Sequence, residues 1–229
     1  MPLDHNPSES LSAFIKYLAF YDPGTHQSLP SLSELSKTLN ISVATLREQL
    51  EVARALGLVD VRPRKGIQKL PYKFSPVVRL SLAYALRTEI SFFEEFADLR
   101  RHIEETYWHE AVLKLTNDDL EILKSLIKQA WSKLNGYPVQ IPHAEHRELH
   151  LTIYKNLENE FVNGLLEAYW DAYETIGLNV YTDLSYLQEV WHYHEQMVEA
   201  IYKKEYDLGY HKLLEHTDLI YHRPNSNNG

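Results

Sequence analysis

Between Val77 and Tyr221 the chain carries only two prolines, Pro138 and Pro142, and nowhere alternates apolar and polar residues as a half-buried strand would. Proline breaks helices by removing a backbone donor and clashing with the preceding turn. A stretch this long with so few breakers, and with apolar residues at three- and four-residue spacing, is confined to a bundle of helices. The spacing predicts helices over 77–88, 90–114, 117–134, 144–156, 159–175, 183–203 and 206–221. Thr116-Asn-Asp-Asp119 reads as a capping box opening the third of these, and Asn135-Gly136-Tyr-Pro138 as its stop.

The first part of the chain reads differently. Residues 9–21 have apolar positions at 11, 14, 15, 18 and 19, a helical period that Asp22-Pro23-Gly24 stops. Ser31-Leu-Ser-Glu34 is a capping box for a short helix ending near Leu39. Asn40-Ile41 makes a tight turn, and Ser42 is the N-cap of a third helix, Val43 to Leu56, closed by Gly57. Leu58–Arg62 and Ile67–Leu70 read as two strands joined by Pro63-Arg64-Lys65-Gly66. Three helices and a β-hairpin in that order describe a winged helix-turn-helix. The expected fold class is therefore mainly α: a winged helix-turn-helix domain over 1–70, a linker over 71–76 with prolines at both ends, an all-α antiparallel helical bundle over 77–222, and a disordered tail over 223–229.

Charge divides along the same line. The whole chain is at −9, but residues 1–75 hold nine Lys/Arg against seven Asp/Glu, while 76–229 hold 14 against 25. Affinity for DNA depends on the local contact face, so a weakly basic module joined to an acidic one still suits double-stranded DNA. The N-terminal end of the third helix, with Ser42, Thr45 and Arg47, is placed to enter a major groove. The hairpin tip, with Arg62, Arg64, Lys65 and Gly66, suits phosphates or the minor groove. There is no apolar run long enough to span a membrane and no basic-then-apolar leader, so the expected location is the cytoplasm. The absence of cysteine excludes disulfides, thiolate metal sites and cysteine nucleophiles.

Any metal must then be held by histidines and carboxylates. His146 and His150 stand four apart, which puts both imidazoles on one helix face. His194 and His216 each stand eleven residues from Glu205, where two helices meet. Eleven residues is about three helical turns, so in an antiparallel pair the two imidazoles come level. Together the four make a nitrogen cluster inside a helical bundle, suited to zinc or nickel. The remaining histidines at 102, 109, 143, 192, 211 and 222 read mostly as surface or packing residues, with His143 an outside candidate for the cluster. Tyr107, Trp108, Tyr154 and Trp191 are candidates to line a pocket beside it.

Two stretches also resemble known families. Leu29-Pro-Ser-Leu-Ser-Glu-Leu35, Asn40-Ile-Ser-Val-Ala-Thr-Leu-Arg-Glu48 and Gly57-Leu-Val-Asp-Val-Arg-Pro-Arg-Lys-Gly66 resemble the DNA-binding domain of GntR-family transcription regulators. Ser33 and Val43 stand where that family usually has arginines, while Arg47 keeps a third contact position. Residues 77–220 resemble the FCD ligand-binding domain of the FadR-like subfamily. Its metal ligands are an Asp-x-x-x-His pair and two later histidines. The resemblance places His150, His194 and His216 at ligand positions and Asn159 at a commonly occurring Asn. Leu99-Arg100-Arg101-His-Ile-Glu104 matches an Arg-x-x-Leu-Glu stretch on an early helix. His146 stands where the family has its Asp: either it coordinates instead, or it turns away and leaves three ligands.

The resemblance implies that a divalent metal captures the carboxylate of a small organic acid, with Arg100 and Asn159 as further effector contacts. The other reading of Arg100 is an ion pair with Glu104 at i+4. A homodimer on a two-fold symmetric operator follows, since one winged helix reads a half-site. The expectation is thus a transcription regulator, a repressor, and not an enzyme. Two alternatives remain at this point. One is a metal-dependent hydrolase with an accessory DNA-binding domain, for which Glu145 and Glu148 would be general bases only by proximity. The other is an interaction module with a structural histidine cluster.

Overall fold

The computed structural model describes residues 10–22, 28–177 and 183–221, so the tail expected over 223–229 lies outside the described residues. The chain divides into two compact units, 1–80 and 81–229.

In the first unit, α1 (Ala13–Phe20), α2 (Leu32–Leu39) and α3 (Val43–Ala55) precede an antiparallel hairpin of β1 (Val59–Arg62) and β2 (Gly66–Lys69). Serine side chains open all three helices: Ser12 accepts from Ile15 N–H, Ser31 forms a reciprocal capping box with Glu34, and Ser42 accepts from Thr45 N–H. Each satisfies a backbone donor that the first helical turn leaves unpaired. Phe14, Leu18, Leu35, Leu46, Leu50, Val59 and Ile67 form one apolar core. Asn40, with φ of 52°, makes the turn between α2 and α3.

Two boundaries differ from expectation. Gly66 belongs to β2, pairing with Arg62, and the tip of the hairpin is made by Arg64 at φ of 66°. The linker is shorter than 71–76, because α4 (Ser75–Thr88) begins before Pro76. Proline is tolerated in a first helical turn, where its missing N–H has no partner to lose. Pro76 also closes on Gly57: a Cβ there would lie 2.6 Å from the proline ring, and Gly57 has φ of 71°. The end of α3 therefore requires glycine for both conformation and space.

The second unit is a bundle of α5 (Phe92–Leu113), α6 (Asn117–Leu134), α7 (His143–Tyr154), α8 (Glu160–Gly177), α9 (Leu184–Lys203) and α10 (Tyr206–Tyr221). Three tryptophans, Trp108, Trp170 and Trp191, are fully buried in its core. α9 ends at Lys204 in the left-handed conformation, φ 61°, and α10 starts two residues later, so the two helices fold back on each other. α7 packs against α5, α6 and α8. It has no side-chain N-cap, and its inner face buries Glu145, His146, Leu149, His150 and Ile153. That placement brings a polar pair into the middle of the bundle.

Candidate metal centre

His146 and His150 sit one turn apart on the buried face of α7. His194 comes from α9 and His216 from α10. Each of the four offers a ring nitrogen, and those four atoms lie within 4.8 Å of one another. The His150 and His194 Nε2 atoms are 3.1 Å apart, and the His194 and His216 ring centroids 4.3 Å. His146 does not turn away: its ring centroid is 4.6 Å from that of His194 and 5.2 Å from that of His150. Nitrogens bound tetrahedrally at zinc distances stand about 3.3 Å apart, so the donor set is close to the dimensions of one ion.

The four rings are almost wholly buried, from 0% exposed for His150 and His194 to 8% for His146. Burial is the main cause that pushes all four well below the usual histidine range; Arg100 pushes each the same way, neighbouring rings add to this for His146, His194 and His216, and Glu104 opposes it at His216. They are therefore neutral, the form in which imidazole binds a metal. Among the described residues, His146 Nε2, His194 Nδ1 and both nitrogens of His216 have no hydrogen-bond partner. Unpaired buried polar atoms are costly, and a divalent ion would satisfy several of them at once. The residues fit the group.

Two charged residues on α5 adjoin the cluster. Arg100 Nη2 is 2.8 Å from Glu104 Oε2, and both side chains are buried. The same Arg100 atom lies 2.8 Å from His150 Nδ1, and Glu104 Oε2 lies 3.2 Å from that nitrogen. The guanidinium also covers the Trp170 and Tyr169 rings at 4.9 and 5.1 Å. Burial raises the Glu104 carboxyl, opposed by the attraction of Arg100. Sequence reasoning offered Arg100 both as an effector contact and as the i+4 partner of Glu104, and the structure gives it the ion pair. What it missed is Glu104 beside His150, a contact between helices that spacing within α5 does not encode.

A cavity of about 20 Å³, room for roughly one water, opens beside the cluster; its walls include His143, His146, Tyr173, Tyr186, Trp191 and His216. Of the four aromatics that the sequence nominates, Trp191 lines it. Trp108 instead donates to the Tyr206 carbonyl, Tyr154 donates to that of Glu104, and the Tyr107 hydroxyl accepts from Asn159. His143, three residues before His146, joins the wall and not the four-nitrogen group. Arg100 and Asn159 are not among the lining residues. Asn159 Oδ1 accepts from the backbone of Phe161 and Val162, capping α8. His102, His109 and His192 bond to Asp98, Asp207 and Gln196 at the surface; His222 lies outside the described residues.

In the other unit, Thr45 and Arg47 are exposed on the first turns of α3, and the Ser42 side chain caps that helix beside Thr45. Arg64, Lys65 and Gly66 are exposed at the hairpin tip, and Arg62 pairs with Asp60.

Comparison with known proteins fits this architecture. Residues 95–219, more than half of the chain, match the FCD domain family. The chain belongs to the FCD-domain branch of the GntR-family transcription regulators. This GntR-family chain is 24% identical over 207 residues to the Uxu operon transcriptional regulator of Escherichia coli K12, a match spanning 87% of this chain and 79% of that one. Among solved structures it is similar to Streptococcus agalactiae GntR, with a TM-score of 0.63, 18% identity, and 84% and 87% of the two chains covered. E. coli McbR/YncC aligns at a TM-score of 0.48 and 18% identity, over 83% of this chain and 84% of that one. As a regulator of this family the chain is not an enzyme, and the hydrolase reading is set aside. No helix among the described residues is long and apolar enough to cross a membrane.

Proposed function

We propose that this regulator is a cytoplasmic, homodimeric repressor that binds a two-fold symmetric DNA operator and senses a small organic acid through a divalent metal ion, zinc or nickel. Residues 1–70 form the DNA-binding module and 77–222 the effector-binding and dimerisation module. The observation that carries the sensing role is the group of four buried, neutral, largely unpartnered imidazoles converging from three helices. Such a donor set has no inexpensive structural alternative, since each unpaired nitrogen costs free energy that an ion would recover.

In this reading His146, His150, His194 and His216 hold the ion. When bound, the ion supplies a Lewis-acidic anchor for a carboxylate oxygen. His146 replaces the carboxylate of the family pattern, so the protein ligands leave the full charge of the ion uncompensated, and that favours an anionic effector. Arg100 supplies a second anchor and orients the acid, since guanidinium and carboxylate match geometrically; Asn159, bound up in capping α8, steadies that wall from one helix end. Tyr173, Tyr186 and Trp191 close over the site and exclude water. An acid larger than one water must push those rings aside, and that movement is the means by which binding reaches the rest of the bundle. Ser42, Thr45 and Arg47 read the major groove, while Arg62, Arg64, Lys65 and Gly66 hold the flanking backbone.

Metal analysis of the purified chain, followed by a thermal-shift screen of small carboxylates with and without chelator, tests this reading. About one ion per chain and carboxylate-linked stabilisation that disappears with chelator are expected. A chain that takes up no divalent ion would overturn the sensing role while leaving the DNA-binding role standing.

A further inference from the structure

The outer face of α3 carries an acid among its DNA-facing positions. Leu46, Leu50 and Ala53 turn inward from this helix and are buried. At about 100° per residue, Ala44 and Glu48 stand roughly half a turn away from that buried stripe, with Thr45 to one side and Arg47 to the other. All four are exposed. The Glu48 carboxylate has no ion pair or hydrogen bond among the described residues. Glu51, further along the helix, lies 3.7 Å from Arg54. The first turns of α3 therefore present one unpaired cation and one unpaired anion, side by side.

Each of these side chains suits a different base edge. The Thr45 hydroxyl lies 2.9 Å from that of Ser42, which leaves its methyl for an apolar contact. Arg47 is a fork of donors, suited to the O6 and N7 acceptors of guanine. Glu48 is its opposite. A carboxylate has acceptors alone and carries the same charge as the phosphates that border the groove. Burying it there without a donor costs free energy. Major-groove edges offer two donors, cytosine N4 and adenine N6. Adenine sets its N7 acceptor beside N6, guanine presents two acceptors, and thymine an acceptor and a methyl. Cytosine is the base on which a carboxylate gains a bond without meeting a lone pair.

We propose that Glu48 is a specificity-determining residue that selects cytosine in the operator half-site, at or beside the base pair that Arg47 reads. This rests on the reading of residues 1–70 as the DNA-binding module and adds a base preference to it. Neighbouring Cα atoms are about 3.8 Å apart, close to the step of about 3.4 Å between stacked bases. The two side chains therefore reach the same or adjoining base pairs. Their roles differ. Arg47 attracts any duplex and gains most on guanine. Glu48 repels any duplex and recovers that loss where cytosine N4 donates to it, so it discriminates against wrong sequences more than it adds affinity for the right one. Residues 1–75 hold nine Lys/Arg against seven Asp/Glu. With so small an excess of positive charge, a repulsive acid on the reading face widens the gap between operator and unrelated DNA.

The test uses the full chain and a library of DNA duplexes with a randomised central segment, selected in parallel by wild type, Glu48→Ala and Glu48→Gln. Wild type should prefer cytosine at one position of each half-site by about tenfold over the other bases. Glu48→Ala should lose that preference while binding unrelated DNA roughly two- to threefold more tightly at low salt, since a like charge is gone. Glu48→Gln should move the same position to adenine, whose N6 and N7 fit an amide. Both substitutions replace an exposed side chain with a good helix former, so both variants should fold. A merely structural role for Glu48 would weaken operator and unrelated DNA alike and leave base preferences as they are. Identical preferences in the three proteins, or a change confined to a position where wild type prefers another base, overturns the proposal while leaving the DNA-binding reading intact. A wild-type chain that enriches no sequence overturns both.

Discussion

A Cβ placed on Gly209 of α10 would lie 2.7 Å from the Trp108 indole of α5. Trp108 cannot step back, because it is fully buried and its Nε1–H is bound to the Tyr206 carbonyl at 2.9 Å. Gly209 thus sets how closely α10 approaches α5, and α10 carries His216. Gly209→Ala gains helix propensity worth up to about 1 kcal/mol but overpacks the contact by roughly 1–3 kcal/mol. A net loss of about 1–2 kcal/mol is expected, lowering Tm by roughly 2–8 °C, with zinc affinity weakened as His216 shifts. An unchanged Tm would show that the helices separate freely.

Acid should unfold the second unit early. Burial holds the four cluster histidines neutral well below their usual range. Below about pH 6.5 the unfolded chain takes up protons on these rings that the folded chain refuses, so stability falls as pH falls. With all four neutral, the slope approaches about 5 kcal/mol per pH unit. Chelator-treated protein followed by urea unfolding between pH 7 and 5 should show it, and His194→Gln should flatten the slope.

The four histidines should not be equal in replacement. His150→Ala and His194→Ala remove the two innermost rings and should abolish metal uptake. His146→Ala leaves three nitrogens and should weaken it by tenfold or more without abolishing it. Equal metal content in His146→Ala and wild type, by competition with a chelator, would show that His150, His194 and His216 suffice.

Asp119 anchors the start of α6. Its carboxylate completes a capping box with Thr116 and meets Lys155 and Asn156 from the end of α7. Burial alone would raise this carboxyl, but the bonds from Lys155, Thr116 and Asn156 hold it below the usual carboxylate range. Its stabilisation is complete above about pH 4 and is lost as pH falls below that. Asp119→Ala should cost about 1–2 kcal/mol at pH 7 by urea unfolding, the scale of a lost N-cap, and less at pH 3.

Arg47→Ala should reduce operator affinity by about 1–3 kcal/mol with loss of discrimination at one base pair. Lys65→Ala should weaken binding to all sequences alike and lower the salt slope by about one. Gel-shift titrations at two salt concentrations separate the two. Equal losses on operator and unrelated DNA for Arg47→Ala would remove it from base reading.

Much of this was legible because the signals are local. A serine before each N-terminal helix and glycine after α3 mark ends that a few residues determine. His146 and His150 share a face by the helical period alone, and His194 meets His216 because a short turn fixes the register of α9 against α10. The placement of Glu104 was not legible: its i+4 spacing from Arg100 is satisfied wherever α5 lies, and its approach to α7 depends on packing between helices distant in sequence. Asn159 carries a local signal of its own. Asn immediately before Glu160-Phe-Val is itself a cap signal, and the side chain is engaged there. Pro76 reads as linker because proline so often is, yet it lies in the first turn of α4.

Turns on the surface are ordinarily where chains accept inserted residues with little cost. The turn at Lys204 and Glu205 is exposed and looks like such a place, but it behaves as a gauge. One added residue there would rotate every side chain of α10 by about 100° relative to α9, carrying His216 out of reach of His194. The bundle could still bury an apolar face, while the histidine cluster could not re-form. The spacing between these two histidines is therefore fixed by chemistry where folding alone would leave it free.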